Sequence, residues 1–540
     1  MTGWNLASCW EAIADSQPDR LALVHGSQRV TWREFDDRAS RLAAAFRALG
    51  LGVDSKVALY LYNGNEYLEA TTAAFKLGAA HVNVNYRYLE DELAYLIDNS
   101  DAEILLFHGD LGERVAKVRD RLPQLRAIVQ VDDGSELLDG ALAYEDLVAR
   151  HEPIERTERT GDELYILYTG GTTGMPKGVM WRNEDLYQAL MPAIISLVGQ
   201  AAPDSPGGHA ELAARVGETG LTPTHLPASP LMHGTGFMSS VQVLLLGGTI
   251  VTLESRRFDA DELWRTVAGD RVTQMAIVGD AFAKPMVAAL EQAEERGEPY
   301  DLTSLRLLIS SGVMWSAPVK QALMRRGSFI CLDSLGSSEG VGFAGAISAP
   351  GHDVSTAKFT IGEHAKVLTE DGREVQPGSG EIGLLSLSGP LPLGYYKDPD
   401  KSAATFRTFG GVRYSIPGDW ARVAEDGAIE LLGRGSVSIN TGGEKVFPEE
   451  VEEALKLHPD VADALVVGVP DDRFGEVIAA LVAARSGTTI DAEEVKDTVR
   501  AHLARFKQPR HVVVVDSLVR GPNGKADYAW GRAIAVERLA

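Results

Sequence analysis

At roughly 150 residues per domain, the 540-residue chain is about three to four domain-sized units long, which excludes a single small module. Hydrophobic residues at 45% and charged residues at 24% are ordinary globular proportions, which excludes a disordered or fibrous protein. A net charge of −24 argues against a nucleic-acid partner or an anionic lipid surface, but small anionic ligands need only a few local cations.

The first twenty residues carry acids early and lack a basic stretch followed by an apolar core, so no secretory leader is expected. Later apolar runs such as Ala189–Gly199 are too short to span a membrane. Cys9 and Cys331 match no metal-ligand spacing, and a reduced, cytoplasmic protein is expected. Between about residues 20 and 165, short apolar runs alternate with amphipathic helical stretches, the pattern of βαβ units and a mostly parallel sheet. The alternation resumes around residues 244–336 in further strands that run into Gly/Ser loops, the usual ligand position in open α/β sheets.

From about residue 355, short segments joined by Asp-Gly pairs predict a small β-rich subdomain. After Gly435 a compact α+β tail follows, with one helix opened by Pro448 and acidic residues and another over about 491–506. The expected fold class is therefore α/β: a large N-terminal domain of α/β sheets plus a β-rich subdomain over 1–435, then a small α+β domain over 436–540.

The segment running from Tyr168 through Thr169, Gly170, Gly171, Thr172, Thr173 and Gly174 to Lys177 follows an apolar run. Its backbone N–H groups and hydroxyls can wrap phosphate oxygens while Lys177 neutralises charge. The residue order departs from a Walker A loop, because Pro176-Lys177-Gly178 stands in place of Gly-Lys-Ser.

This segment resembles the phosphate loop of the adenylate-forming superfamily, which includes acyl-CoA synthetases, luciferases and peptide-synthetase adenylation domains. Further motifs follow in the superfamily's order: Pro230 to Gly236 around His233, Leu335-Gly336-Ser337-Ser338-Glu339, Gly380 to Gly383 with Gly394 to Tyr396, and Tyr414 to Asp419. Gly433-Arg434 through Gly442-Gly443 to Glu450, and Pro522 to Lys525, complete a collinear match from about residue 20 to 530. Among members, the chain looks closest to the actinobacterial acyl-CoA ligases of steroid side-chain and other bulky polycyclic acids.

The resemblance implies ATP, Mg²⁺ and CoA as cofactor and co-substrates and a carboxylic acid as substrate. Lys525 would bridge the carboxylate and the α-phosphate, where two anions must meet. Glu339 would be the Mg²⁺ ligand with Ser338 beside it; taken alone, Glu339 after two serines reads as a helix-starting acid. Asp419 and Arg434 would hold the ribose. Asp333 and Ser334 would lie at the adenine edge, Ser310, Ser311 and Gly312 against adenine and acyl group, and Gly442 and Gly443 along the pantetheine channel. His233 would gate the acyl pocket, which Gly234, Asp280 and Gly336 help to line. After adenylation, the C-terminal domain would rotate about a hinge following Gly433-Arg434.

Gly234 stands where amino-acid-activating relatives carry Asp, so an amino-acid substrate is not expected. The small, apolar or aromatic pocket segments suit a large hydrophobic acid. The insertion over about residues 191–227 is long enough to serve as a lid over such an acid. Leu335, Ser436 and Asn440 depart from the superfamily's usual Tyr, Asp or Lys, and Lys. A carrier-protein thiol in place of CoA remains as an alternative acceptor, a non-catalytic nucleotide binder as a third reading, and a homodimer is left open.

Overall fold

The structure is a computed structural model that describes residues 3–169, 175–313, 315–352, 354, 356, 358–434, 437, 439–441, 444–471, 475–503, 505–520 and 526–539, except the side chains of 434, 440, 444, 445, 475 and 506. The chain packs into two compact units, one of residues 1–356 and 388–415, the other of residues 357–387 and 416–540.

The first unit contains two largely parallel sheets. One runs in the order Gly394–Tyr395, Lys177–Arg182, Leu164–Thr169, Ala80–Asn83, Lys56–Tyr60, Ile104–His108, Ala127–Val131, Leu142–Ala143, antiparallel only among its first three strands. In the other, Leu21–His25, Thr249–Thr252, Thr224–Pro227, Gln274–Ile277, Leu307–Ser311 and Ile330–Ser337 are parallel, with Gln28–Thr31 and Gly340–Ser348 antiparallel at either side.

Strand periodicity explains how the sheets stack. Leu59, Leu106 and Leu167 of the first sheet and Leu23 and Ile250 of the second point into one large shared core. Their neighbours Ala58, Tyr60, Leu105, Phe107 and Ile166 point into a second cluster, and Val24 and Val251 into a third. Successive side chains leave a strand on opposite faces, so strands apolar at every position must be covered on both sides. The shared core holds the buried faces of helices Leu6–Ser16, Trp32–Ala48, Asn65–Leu77 and Gly234–Leu244, with Trp10, Trp32, Phe46, Tyr67, Phe75 and Phe237. Helices therefore lie between the two sheets, and further helices cover their outer faces.

The insertion over residues 191–227 does not form the expected lid along its whole length. Residues His209–Glu218 form a helix docked on Leu6–Ser16, with Leu212, Ala213 and Val216 in the shared core. Its first residue, His209, is fully buried and bonded to the Leu245 carbonyl and the Tyr187 hydroxyl. An apolar stripe at helical spacing gains more by burial than by hovering over a solvent-filled site, so this helix is a fixed wall.

The second unit has a β-rich part, in which Lys358–Ile361 and Asp419–Val423 flank Ile429–Arg434, and Ile382–Leu387 pairs with both Asp419–Val423 and Ala365–Leu368. Its α+β part is a sheet of Glu444–Val446, Ile439–Thr441, Gly475–Ala484 and Val461–Asp471, with His511–Val515 parallel to Gly475–Ala484. Val466, Ile478, Ala480 and Val482 face helices Pro448–Lys456 and Ala492–His502, while Leu465, Val467, Ala479 and Leu481 face helix Tyr528–Leu539. Packing thus groups the β-rich segments with the tail. The division expected at 435/436 instead grouped those β-rich segments with the N-terminal domain.

Candidate active site

Thr169 ends one strand and Lys177 begins the next, and the two residues are partners in an antiparallel register. Thr169 and Lys177 thus close the end of this antiparallel pair; Gly170, Gly171, Thr172 and Thr173 lie outside the described residues. Lys177 Nζ is 2.6 Å from Asp398 Oδ2 and 6.0 Å from the centroid of the Tyr395 ring. The lysine holds the Asp398 carboxyl below its ordinary range, so Lys177 has a carboxylate partner that the sequence did not single out.

Glu339 does not start a helix. Ser338 and Glu339 form the two-residue turn between antiparallel strands Ile330–Ser337 and Gly340–Ser348, with Ser337 opposite Gly340. The turn is held from the neighbouring sheet. Trp181 Nε1 donates to the Ser338 carbonyl at 2.9 Å, and the Tyr395 hydroxyl donates to Glu339 Oε1 at 2.7 Å. Because Tyr395 also pairs through its backbone with Val179, one residue bridges strand Lys177–Arg182 and Glu339.

The residues expected at the adenine and acyl group gather at the C-terminal ends of strands in the second sheet. Ile277 is in register with Ser310, Ser310 with Asp333, and Ser311 with Ser334. The Gly279 N–H donates to Ser310 Oγ at 2.9 Å. Gly312 follows at φ +90°, a left-handed conformation that L side chains rarely adopt. Asp280 Oδ1 accepts the Ser316 N–H at 2.9 Å and Oδ2 lies 3.8 Å from Lys284, so this acid holds Ser316 at the start of helix Ala317–Met324. Asp333 is 7% exposed and bonded at 2.5 Å to the fully buried Lys320, whose ammonium also lies 5.7 Å from the centroid of the Trp315 ring. Burial pushes the Asp333 carboxyl above its ordinary range even though Lys320 opposes the shift. Leu335 and Gly336 continue this strand toward Ser338 and Glu339.

His233 is half-buried and occupies the N-cap of helix Gly234–Leu244. Gly236 is required by a close approach, since a Cβ there would stand 2.5 Å from the carbonyl oxygens of both Ser229 and Pro230. Two asparagines absent from the sequence-based set hold this loop. Asn83 Nδ2 donates to the carbonyls of Tyr168 at 3.1 Å and Met232 at 2.6 Å, and Asn83 Oδ1 accepts the Tyr168 N–H at 2.6 Å. Asn63 Oδ1 accepts the Leu231 N–H at 2.7 Å, and Asn63 Nδ2 donates to the Pro227 carbonyl at 3.1 Å. Strand Leu164–Thr169 and the segment before His233 are thus joined through one buried amide. A buried amide closing the short strand Ala80–Asn83 was the available signal.

Asn83→Ala should leave these three backbone groups without their amide partner, at about 1–3 kcal/mol for a buried group so stranded. Thermal unfolding is expected to show that loss, and kcat should fall with it because two reacting segments shift together. A variant with unchanged unfolding and kcat would refute this coupling.

In the second unit, Asp419 and Arg434, the two residues expected at the ribose, are register partners on neighbouring strands. Gly442, Gly443 and Lys525 lie outside the described residues. No group of three or more potential His, Cys, Asp or Glu metal ligands occurs among the described residues. Mg²⁺ commonly takes one or two carboxylates and completes its shell with phosphate oxygens and water, so Glu339 beside the Ser338 hydroxyl fits as a partial ligand set. No helix among the described residues is long and apolar enough to cross a membrane.

A family model described as AMP-binding enzyme matches residues 10–396, and one described as AMP-binding enzyme C-terminal domain matches residues 450–525. The chain is 43% identical over 537 residues to the 3-oxocholest-4-en-26-oate–CoA ligase of Rhodococcus rhodochrous, covering 98% of this chain and 95% of that protein. It is 42% identical over 543 residues to the medium/long-chain-fatty-acid–CoA/3-oxocholest-4-en-26-oate–CoA ligase of Mycolicibacterium smegmatis, covering 99% and 97%. In fold it matches the crystal structure of the anthranilate CoA ligase AuaEII in complex with anthranoyl-AMP, with a TM-score of 0.85 at 22% identity, covering 100% and 98%. With the main family model spanning most of its length and relatives above 40% identity over nearly all of it, the chain belongs to the AMP-binding enzyme family.

Proposed function

We propose that the protein is an AMP-forming acyl-CoA ligase of the cytoplasm that activates a large hydrophobic carboxylic acid, steroidal or long-chain, and transfers it to CoA. The observation that carries this reading is the bridging of three separate segments in one unit. Tyr395 joins strand Lys177–Arg182 to Glu339, and Asn83 joins strand Leu164–Thr169 to the His233 loop. Nearly full-length similarity to ligases named for a steroid acid and for medium to long fatty acids supports the substrate class.

In this reading the segment at 169–177 receives the triphosphate, and Ser310, Ser311, Gly312, Asp333 and Ser334 face the adenine. Asp419 and Arg434 hold the ribose. Glu339 and Ser338 would hold Mg²⁺, which when bound neutralises phosphate charge. The acid lies along His233, Gly234, Asp280, Ser310, Gly312 and Gly336. Lys525 draws the carboxylate and α-phosphate together, and the C-terminal domain then turns, so that Gly442 and Gly443 line the thiol's approach.

The test is thioester formation with ATP, Mg²⁺ and CoA over fatty, aryl and steroid acids. AMP and acyl-CoA are expected in equal amounts, fastest with bulky or long apolar acids. Absence of AMP and thioester with every acid would refute the reading. AMP release without thioester would redirect it to another acceptor.

A further inference from the structure

Glu339 sits on the second sheet but is held by a residue of the first. It is the second residue of the turn between strands Ile330–Ser337 and Gly340–Ser348, and its N–H donates to Ser337 Oγ at 3.2 Å. Its carboxylate receives the Tyr395 hydroxyl on Oε1 at 2.7 Å, while Oε2 accepts no hydrogen bond among the described residues. An O–H···O⁻ bond of this length is charge-assisted, so it restrains a side chain that otherwise turns about several rotatable bonds.

Tyr395 is itself a fixed post. It is 6% exposed, its ring centroid lies 6.0 Å from that of Phe406, its backbone is in register with Val179, and its N–H donates to Ser402 Oγ at 2.8 Å. Trp181, fully buried on strand Lys177–Arg182, grips the other residue of the turn through the Ser338 carbonyl. Both residues of the turn are therefore fastened to strands of the first sheet, within one packed unit. Lys177 Nζ stands 6.0 Å from the centroid of the Tyr395 ring, so this side chain neighbours the carboxylate expected at the metal and the cation expected at the phosphates.

We propose that Tyr395 is a positioning residue for Mg²⁺: its hydroxyl takes one oxygen of Glu339 and leaves the other to bind the cation that accompanies ATP. This rests on the reading of Glu339 given above. Mg²⁺ demands near-octahedral geometry and gains little from a carboxylate that samples many orientations. Hydrogen bonds to a ligating carboxylate commonly account for about 10- to 100-fold in metal affinity. A residue that only packed the two sheets together would leave metal affinity alone and weaken nucleotide binding or folding instead.

The experiment uses the full chain, with Mn²⁺ as a spectroscopic substitute for Mg²⁺ and α,β-methylene-ATP, whose bridging carbon prevents adenylation. Mn²⁺ binding is read by electron paramagnetic resonance with enzyme in excess over the nucleotide. Tyr395→Phe keeps the ring and the backbone pairing. It is expected to raise the Mn²⁺ Kd by about 10-fold, with binding of the analogue in EDTA within about twofold of the wild type. The Mg²⁺ concentration for half-maximal ATP–pyrophosphate exchange, which reports adenylation, should rise by a similar factor. Glu339→Gln and the double variant are run alongside. Because Tyr395 acts through Glu339, the double variant should bind Mn²⁺ no more weakly than Glu339→Gln alone. Losses that multiply in the double variant, or equal weakening of the analogue in EDTA, would overturn the proposal. If Glu339→Gln weakens Mn²⁺ binding and Tyr395→Phe does not, only the positioning role fails; if neither weakens it, the reading of Glu339 fails as well.

Discussion

Lys525→Ala is expected to lower ATP–pyrophosphate exchange by about 100- to 1,000-fold, the scale seen when one charge-stabilising donor is removed from a reacting centre. Thioester formation from a supplied acyl-adenylate should persist within about twofold, because the leaving phosphate no longer needs that cation once the adenylate exists. The asymmetry follows from electrostatics. Adenylation brings a carboxylate against a triphosphate, whereas thiol attack meets a neutral acyl carbon already joined to its leaving group. Equal loss in both half-reactions, in a variant that unfolds like the wild type, would show that one arrangement of Lys525 serves both steps.

Lys320→Met should destabilise the protein by about 3–5 kcal/mol near neutral pH, since removing one partner leaves the other as an uncompensated buried charge. Lys320 is fully buried and Asp333 nearly so, and their contact is 2.5 Å. The substitution retains much of the side-chain length, which separates the charge effect from a cavity. Burial already raises the Asp333 carboxyl in the native protein, and loss of the ammonium should raise it further. An acid whose folded pKa lies above its unfolded value near 3.9 favours folding at low pH and becomes a penalty as pH rises through the interval between the two. The deficit of the variant should therefore be small near pH 4 and grow toward neutrality. Urea unfolding at several pH values measures this, and adding Asp333→Asn to Lys320→Met should flatten the pH dependence. An equal deficit at pH 4 and 7 would mean that lost packing, and not the stranded carboxylate, is responsible.

The parts of the site legible in the sequence are those whose chemistry is local. Runs of glycine and hydroxyl residues beside Lys177, the small residues at Gly234 to Gly236, and the order of the motifs through Lys525 all show in neighbouring residues. The α/β class was equally legible, because strands buried on both faces must be apolar at successive positions, as Leu105-Leu106-Phe107 are. Residues 209–218 carry a helical apolar stripe, yet nothing within them names helix Leu6–Ser16 as the surface that covers it. The reading of that segment as a lid failed there. Glu339 after two serines likewise fits a helix start until the strand Gly340–Ser348 turns back on its predecessor.

By itself, then, the sequence determined the family resemblance, the layered α/β class and the residue types expected at the nucleotide and acid, because spacing, turn chemistry and apolar periodicity act over a few residues. The tertiary structure decided the partners: Asp398 for Lys177, Tyr395 for Glu339, Lys320 for Asp333, and Asn83 between Tyr168 and Met232. These contacts span from 13 to 221 positions along the chain. A charge or amide can pair with any complementary group that folding brings within about 3 Å, and only the packed sheets select which one arrives.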